Sequence, residues 1–394
     1  MKFSLPDQIT KYFPNHPAHI VKNLLITVEG IFSAKSTNFY KVKDELGVIM
    51  SNQQTTKPES NYKRLIRFFQ LQSSEQESII KSLLCVSFCI LGTNKSKLKY
   101  LVLDGTSWEF GCKKIHLLTL SVVIQGVSIP ICWEDLDKKG ISNYDERKAL
   151  LDKACRWYNL KGMILLADRE YIGEQWFCYL TSKGLDFIIR LKRKVYKDYI
   201  DSQCFVHDDK YHFKHQKWRY MTMEKQASKS RYIYKGVAKE IQILDHNYSF
   251  VIFKNPKATA KEKLLYFISS LKNKKTIITT YPIRWSIECC FKHLKSNGFN
   301  LEDINFKNKT KIKLVMAMVT FLYVLCIEQG LLAYKQKIKS DFKKYSNGKI
   351  TLAVSVFRKG LAIVKGKFYD LFSFVDFLEK LIHYKSIPKW IHVQ

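Results

Sequence analysis

Apolar residues recur at helical spacing from the N-terminus to about Thr93. The clearest amphipathic segment, SNYKRLIRFFQLQ at residues 60–72, places apolar and basic side chains on opposite faces. The apolar stripe contains Tyr62, Leu65, Phe68 and Phe69, and the basic face contains Lys63, Arg64 and Arg67. This pattern predicts a helix. Two interpretations stay open for it: a solvated face over a small helical core, or a helix that lies on DNA.

A different pattern begins at Lys97. The segments KLKYLVLDGTSWEF and IHLLTLSVVIQGVSIPICW predict three consecutive antiparallel strands, with a turn at Gln125-Gly126. A helix follows, capped by Ser142 or Asn143, and then a strand, a helix and another strand. The order βββαβαβ predicts an α/β fold, a mixed sheet flanked by helices.

The pattern changes again between about Lys192 and Ser270. Short apolar stretches with polar or glycine-containing breaks predict a β-rich insertion made of the segments KYHFKHQKW, RYIYKGVA, KEIQILD, YSFVIFK and LLYFISS. Helical patterns return after it, around Leu314–Tyr334 and Ala353–Leu378.

The charge of the chain limits the kinds of partner that it is expected to bind. Its 394 residues include 66 Lys and Arg against 35 Asp and Glu, which gives a formal net charge of +31. Such an excess repels itself unless a polyanion neutralises it, so nucleic acid is the first expected partner and an anionic membrane surface the second. The basic residues are spread over the whole chain, which favours broad contact with a large polyanion.

Membrane insertion and secretion are not expected. The apolar runs Ile79–Leu91 and Leu314–Ile327 are shorter than the ~20 residues that span a bilayer, so they predict buried helices. The N-terminus lacks the apolar core of a signal peptide. The ten cysteines show no zinc-binding spacing, which favours buried free thiols in a reducing compartment.

Two acids follow apolar strand patterns. Asp104 closes the stretch KYLVL, and a carboxylate there is costly to bury unless it is paired or binds a metal. The alternative is that Asp104-Gly105 forms a hairpin turn. Asp168 closes MILLA, where it is either a metal ligand at the carboxyl end of a strand or a helix N-cap.

The stretch YPIRWSIECCFKHLK, residues 281–295, holds a single acid among basic residues. Thr279 or Thr280 is expected to cap this helix, with Pro282 in its first turn. At helical spacing one face carries Tyr281, Arg284, Glu288, Lys292 and Lys295. A salt-bridge ladder from Arg284 through Glu288 to Lys292 is the structural alternative. A carboxylate flanked by hydrogen-bond donors also suits a metal ligand beside phosphate contacts.

These residues resemble a known family. Asp104, Asp168 and Glu288 resemble the DDE triad of cut-and-paste transposases, which is held on a ribonuclease-H-like fold. The spacing of Tyr281, Arg284, Glu288 and Lys295 is similar to the Tyr-Arg-Glu-Lys signature of the bacterial Insertion Sequence Four family. The stretches LVLDGTSW and LLADREYIG look like the motifs around the first and second Asp. One departure is Gly105, where many relatives carry Arg.

The resemblance implies a domain organisation. Residues 1–95 would be a helical DNA-binding region, in which Arg64 and Arg67 contact DNA. Residues 96–191 and 273–310 would form the ribonuclease-H-like core around a β-rich insertion at 192–272. Residues 311–394 would be a helical region that supports dimerisation.

The resemblance also implies the chemistry. Asp104, Asp168 and Glu288 would be catalytic and hold two Mg²⁺ ions, with Mn²⁺ as a substitute. Water would attack at the element ends, and the freed 3′-OH would then attack target DNA. The DNA contacts would come from the helix and from a pair that holds a flipped base: Tyr281, Arg284, Lys292, Lys295, Tyr266 and Phe267. For Tyr266 and Phe267 the alternative is that they are core residues of a strand.

The implied partners are double-stranded DNA, as terminal inverted repeats and as target, and a second copy of the chain. The implied location is the bacterial cytoplasm at the nucleoid. Two other functions remain open at this stage: a structure-specific nuclease without strand transfer, and a non-catalytic DNA-binding remnant of a transposase.

Overall fold

The computed structural model describes most of the chain, and all structural statements below concern that part. The described residues are 5–50, 57–138, 140–197, 210–230, 235–256, 262–336, 342–346, 348, 350–367, 369–383 and 385–392.

Helices form the N-terminal region, as the periodicity predicts. They are α1 (Asp7–Thr10), α2 (Ala18–Ala34), α3 (Phe39–Met50), α4 (Pro58–Phe68) and α5 (Ser73–Ile90). The amphipathic pattern of α4 is confirmed, because Leu65, Phe68 and Phe69 are buried while Arg67 is exposed. The apolar stripe of this helix is therefore used for packing, and its basic face remains open to solvent.

An eight-stranded mixed sheet forms the centre of the molecule. Its strands are β1 (Tyr100–Phe110), β2 (Lys113–Ile124), β3 (Val127–Asp135), β4 (Ile164–Ala167), β5 (Asp186–Leu191), β6 (Gly236–Ile243), β7 (His246–Lys254) and β8 (Leu264–Ser269). The strands lie in the order β3-β2-β1-β4-β5-β8-β7-β6. Strands β1, β2 and β3 are antiparallel neighbours, and β4 and β5 continue the sheet parallel to β1.

The predicted fold class is confirmed by this arrangement. The order β3-β2-β1-β4-β5, with three antiparallel strands followed by two parallel ones, is that of a ribonuclease-H-like core. Helix α6 (Tyr144–Trp157) joins β3 to β4, and α7 (Glu174–Ser182) joins β4 to β5. Asn143 caps α6 in a capping box with Glu146. The turn at Gln125-Gly126 is also present, with positive φ at both residues.

The β-rich segment differs from its prediction in two respects. Lys210–Trp218, predicted as a strand, lies in helix α8 (Lys210–Lys229). The stretches RYIYKGVA and KEIQILD do not form two strands: residues 231–234 lie outside the described part, and the rest contributes to the single strand β6. Strands β6–β8 extend the central sheet beyond β5 through the antiparallel pair β5–β8. Their apolar alternation indicated strands but carried no information about which sheet they would join.

Helices return after β8. They are α9 (Lys274–Thr280), α10 (Trp285–Leu294), α11 (Lys309–Lys335), α12 (Val356–Val364) and α13 (Leu371–Ile382). A short hairpin, β9 (Phe342–Lys344) and β10 (Ile350–Leu352), lies between α11 and α12.

The sheet has apolar packing on both faces, but the two cores differ in size. The larger one continues into the N-terminal and C-terminal helices. The smaller one lies on the opposite face and contains ten buried residues, among them Val102, Leu166 and Ile188 of three adjacent strands. It is covered by α9 and α10 through Ile277, Ile278, Ile287 and Phe291.

Helix α11 is longer than the apolar run that predicted it. Among the described residues it is the one helix long and apolar enough to cross a membrane by length and composition. Its apolar window is 83% buried inside the protein, where it packs on α5, α12 and β3. The helix therefore serves as the shared core of the N-terminal helices, the sheet and the C-terminal helices.

The cysteines agree with the expectation of free thiols. The nine that the structure describes are all free, and five of them are buried.

Candidate active site

Three adjacent strands place polar side chains in one row. Val102, Leu166 and Ile188 lie side by side in register on β1, β4 and β5, and all three belong to the smaller core. Because side chains alternate along a strand, the residues two positions further point to the same face. Those residues are Asp104, Asp168 and Arg190. The sheet thus brings the two predicted acids together and adds an arginine that the sequence analysis missed.

Asp104 does not close its strand as predicted. Strand β1 continues to Phe110 through antiparallel pairing with β2, whereas its parallel pairing with β4 ends at Leu103–Ala167. Asp104 therefore lies where β1 loses its neighbour on one side and a gap opens in the sheet. The hairpin-turn alternative for Asp104-Gly105 is excluded, because the turn is formed at Gly111, which has positive φ. Asp168 directly follows the last residue of β4, as predicted.

The segment with the third acid is not one capped helix. Residues Tyr281–Arg284 form a 3₁₀ turn that continues directly from α9, and α10 begins at Trp285. Thr279 and Thr280 do not cap it, because the chain is already helical there and the Thr279 hydroxyl donates back to Lys275 O. Pro282 does occupy the first turn. Ile287 and Leu294 of this segment are fully buried.

Arg284 connects two of the three acids. One guanidinium nitrogen, Nη1, donates to Asp104 Oδ2 at 2.9 Å, and Nη2 donates to Glu288 Oε1. The Arg284 side chain is only 12% exposed. A surface ladder is therefore not the right description. The Arg284–Glu288 pair exists, but its guanidinium also holds an acid from the sheet, and among the described residues no ion pair joins Glu288 to Lys292.

Tyr281 connects the third acid to the same turn. Its hydroxyl donates to Asp168 Oδ1 at 3.4 Å, and its ring packs on Phe267 with centroids 4.7 Å apart. The 3₁₀ turn thus crosses the sheet above Asp168 and Asp104 before α10 carries Glu288 beside them.

Burial and charge act against each other at this site. Burial raises the pKa of Asp104 to about 6, and the nearby acids Asp168 and Glu288 act in the same direction. Arg284 and the backbone N–H of Gly105 oppose that rise by favouring the ionised form. Burial would lower the pKa of Arg284, but the anionic groups around it raise the pKa above its usual value. The positive charge of the Arg284 guanidinium stabilises the ionised form of the acids that lie close together here.

The two lysines predicted on this helix face, Lys292 and Lys295, differ in their contacts. Lys295 is held in place, because its ammonium pairs with Glu302 at 2.8 Å and donates to Ser107 O at 3.0 Å. Lys292 is exposed, and no described carboxylate pairs with it. Of the predicted contacts on this helix, Lys292 is the one whose charge is free for a ligand.

The structure does not support the prediction that Tyr266 and Phe267 hold a flipped base. Tyr266 is buried, stacks on Tyr196 at 4.8 Å and donates to Glu224, and Phe267 is 1% exposed in the smaller core. Both are strand core residues, because β8 is an interior strand covered on both faces. Trp285, which directly follows Arg284 in the chain, carries an exposed ring, with 62% of the residue open to solvent. The sequence carried that signal in an aromatic residue next to the signature arginine.

Arg64 and Arg67 lie outside this cluster, on α4 of the N-terminal region. Arg67 is exposed and Arg64 is partly exposed, so both are accessible from solvent.

Gly105, the departure from the family pattern, faces away from the acids. Alternation along β1 puts it on the face of the larger core, opposite Asp104. A Cβ there would lie 2.7 Å from His116 Nε2 and 3.6 Å from the Tyr171 hydroxyl. The side-chain position of residue 105 therefore provides space for His116 and points away from the acids, whereas the backbone N–H of Gly105 donates to Asp104 Oδ1 at 2.9 Å.

The donors at this site are those that a hard divalent cation prefers. Three carboxylates from separate segments provide only oxygen ligands. Within the described part of the chain, however, no three Asp, Glu, His or Cys side chains are assembled closely enough to hold a metal ion. Arg284 lies between two of these carboxylates and holds one oxygen of Asp104 and one of Glu288. The donor chemistry fits a metal site at which a cation and Arg284 would compete for the oxygens of Asp104 and Glu288.

A family model described as the transposase DDE domain matches residues 95–325, more than half of the chain. The chain belongs to this family. The matched region contains Asp104, Asp168, Arg284 and Glu288, the residues gathered at the sheet edge. The protein is therefore a transposase, and the family indicates a metal-dependent enzyme.

Comparisons beyond the family are less informative. No curated protein matches the chain significantly. Among solved structures, the chain is similar to one described as a cryo-EM structure of piggyBac transposase in a synaptic complex with hairpin DNA. The two are 11% identical with a TM-score of 0.42, over 98% of this chain and 78% of the other. That score is too low to support an argument about fold or function.

Proposed function

We propose that this DDE transposase moves an insertion sequence by cut-and-paste transposition, in the manner of the Insertion Sequence Four family. The observation that carries the proposal is the meeting of Asp104, Asp168 and Glu288 around Arg284 at the edge of the sheet. The Tyr-Arg-Glu-Lys spacing supports the finer family assignment, because Tyr281 and Arg284 each contact one or more of the acids.

Two Mg²⁺ ions, with Mn²⁺ as a substitute, are the proposed cofactors. Asp104, Asp168 and Glu288 would hold them, and their negative charge is what attracts a cation to an otherwise basic protein. When bound, such a pair supplies an activated water and neutralises charge on the attacking and leaving oxygens. No histidine is needed as a base in this chemistry.

The remaining side chains either contact DNA or hold the site in place. Lys292 is exposed and free to pair with a phosphate, and Arg284 becomes a phosphate ligand once its carboxylates are engaged elsewhere. Tyr281 positions Asp168, and Lys295 fixes the end of α10 against β1. The exposed indole of Trp285, the residue after Arg284, provides a stacking surface for an unpaired base.

Wider contact with double-stranded DNA, both the terminal inverted repeats and the target, follows from the net charge of +31. Arg64 and Arg67 on α4 are accessible for such contacts in the proposed N-terminal DNA-binding region, 1–95. Each phosphate neutralised steepens the dependence of log K on log salt by about 0.9. Binding should accordingly weaken strongly as salt is raised.

The active form is proposed to be a homodimer on paired ends, held by the region 311–394, and to work at the bacterial nucleoid. Much of α11 is buried within one chain, so the interface would come from surfaces outside its apolar core. Light scattering with and without end DNA tests this. A monomer that cuts single ends at full rate would contradict the dimer.

The function is tested with a donor plasmid that carries the DNA flanking this gene, a target plasmid, and Mg²⁺. Excision followed by joining to the target is the expected result, and EDTA should prevent both. Cleavage without joined product would favour the structure-specific nuclease. DNA binding that never leads to cleavage with any divalent cation would favour a non-catalytic remnant.

A further inference from the structure

Two arginines beside Asp168 share one carboxylate. Arg169 Nη1 lies 3.0 Å from Glu262 Oε1, and Arg190 Nη2 donates to Glu262 Oε2. Each guanidinium takes one oxygen, so the carboxylate bridges the two. Arg169 directly follows Asp168, and Arg190 is the third member of the row formed with Asp104 and Asp168. The cluster therefore adjoins the acidic site on the same face of the sheet.

The composition of this cluster leaves positive charge in excess. Two guanidinium groups face a single carboxylate, and all three side chains are partly open to solvent, with 39%, 24% and 48% exposure for Arg169, Arg190 and Glu262. Ion pairs that are this exposed contribute little to stability, so stability alone does not explain why two arginines converge on one carboxylate. An accessible pair of arginines joined by one carboxylate is the arrangement that a bound oxyanion would need.

Glu262 reaches the cluster from the connection between β7 and β8. Asn255 anchors the backbone there, since its side-chain amide donates to Glu262 O at 2.9 Å and its N–H donates to Lys263 O at 2.9 Å. The backbone bonds hold the segment without involving the Glu262 carboxylate. The side chain can therefore leave the arginines while the segment keeps its anchor.

We propose that Arg169 and Arg190 form a phosphodiester-binding site beside Asp168, and that Glu262 occupies it in the free protein. Carboxylate and phosphate are both bound by the guanidinium fork, so one can replace the other. The inference rests on the proposed function in one respect, that the phosphodiester belongs to DNA undergoing cleavage. A strand held there would have its backbone fixed next to the acids.

Inorganic phosphate provides a test that does not depend on transposition. Glu262→Gln should melt at a lower temperature than wild type without phosphate, because the arginines lose their counterion. Added phosphate should then raise its melting temperature more than that of wild type, since no carboxylate competes. The extra rise should disappear in Glu262→Gln combined with Arg190→Gln, and in the combination with Arg169→Gln. Equal phosphate responses in all these variants would overturn the site.

End DNA provides the second test, in EDTA so that only binding is measured. Arg190→Gln should bind several-fold more weakly and lose about one unit of the slope of log K against log salt, as expected for one phosphate contact. Arg190→Lys should recover part of the affinity. Arg156→Gln is the matched control, because Arg156 is exposed on α6, which packs on the other face of the sheet. Its affinity and slope should stay near wild type.

The outcomes separate the two proposals. Normal DNA affinity and salt slope in both Arg190→Gln and Arg169→Gln would overturn the phosphodiester site even if wild type transposes. A wild type that shows the predicted phosphate response but never cleaves DNA would contradict transposition and leave the oxyanion site standing. Weaker DNA binding in Glu262→Gln would also count against the site, because it would assign the glutamate a supporting role.

Discussion

Two regions of this protein bury a carboxylate in opposite ways. At the sheet edge, Asp104 is bound by Arg284, and the same guanidinium binds Glu288. In the N-terminal helices, Glu29 lies in the middle of α2 with no exposed surface, and neither of its carboxylate oxygens has a hydrogen-bond partner among the described residues. The first arrangement is a charged cluster with an internal cation, and the second is a single acid that avoids charge.

The pKa values reflect this difference. Burial raises the pKa of Glu29 to about 8, with Asp370 adding to the effect, so the side chain is largely protonated at neutral pH. Burial also raises the pKa of Asp104, but only to about 6, because Arg284 partly offsets the desolvation. A buried acid that stays charged next to an arginine suits a site that binds cations, whereas a buried acid without a counterion is a cost to stability.

The largest effect is expected at Glu288, in the region where the acids share an arginine. Glu288→Gln should reduce cleavage of element ends by roughly three orders of magnitude or more, because it removes a charged ligand from the reacting centre. Binding of end DNA should remain close to wild type, since the change removes no phosphate contact. Gel-shift and nicking assays on one preparation measure both. Parallel loss of binding and cleavage would indicate that Glu288 only supports its helix.

Whereas replacing Glu288 should cause a loss of activity, replacing Glu29 by the neutral Gln should increase the stability of the protein. Its pKa is raised in the folded state from 4.5 to about 8, so the folded protein holds the proton more tightly than the unfolded chain. Stability should be fully present below pH 4.5 and fall as pH rises toward 8, by about 1.4 kcal/mol per pH unit from this group.

Denaturant unfolding of Glu29→Gln across that window tests the prediction. The difference from wild type should grow with pH in favour of the variant. Glu59→Gln, an exposed acid in the first turn of α4, is the control and should follow wild type. A constant difference between Glu29→Gln and wild type at all pH values would contradict a protonated Glu29.

Removing the charge of Arg284 should make the active-site acids resemble Glu29, because they too would be buried without a counterion. Arg284→Gln leaves Asp104 and Glu288 without their counterion, and the free energy of unfolding should fall by about 2 kcal/mol, because these groups are largely but not fully buried. Mg²⁺ should then stabilise the variant more than it stabilises wild type, as it no longer competes with a guanidinium. Thermal melting with and without Mg²⁺ measures this. An unchanged response to Mg²⁺ would count against a metal site.

The smallest effect is expected on the other face of the same strand. Gly105→Ala should destabilise the protein by about 1 kcal/mol, because the added Cβ would meet His116 Nε2 at 2.7 Å. His116→Ala in the same chain should relieve the strain. Cleavage by folded Gly105→Ala should match wild type, since position 105 points away from the acids. A cleavage defect greater than the stability defect would mean that the two faces are coupled.

The sequence by itself determined the elements and the reactive residue types. Alternating and helical periodicity was sufficient for the order βββαβαβ and for the basic face of α4, because these features are local along the chain. The positions of Asp104, Asp168 and Glu288 in these elements, together with the family resemblance, marked them as candidate site residues. Periodicity was less reliable where a basic, low-hydrophobicity segment was assigned to strands, and Lys210–Trp218 is helical.

Only the tertiary structure decided which residues meet. The register of β1, β4 and β5 aligned Arg190 with the two acids, and the path of the 3₁₀ turn brought Arg284 between Asp104 and Glu288. Burial of Tyr266 and Phe267 and exposure of Trp285 likewise depend on which strand is interior and which helix surface is uncovered. Contacts between distant segments depend on strand order and packing, and neither is encoded in the local period of the chain.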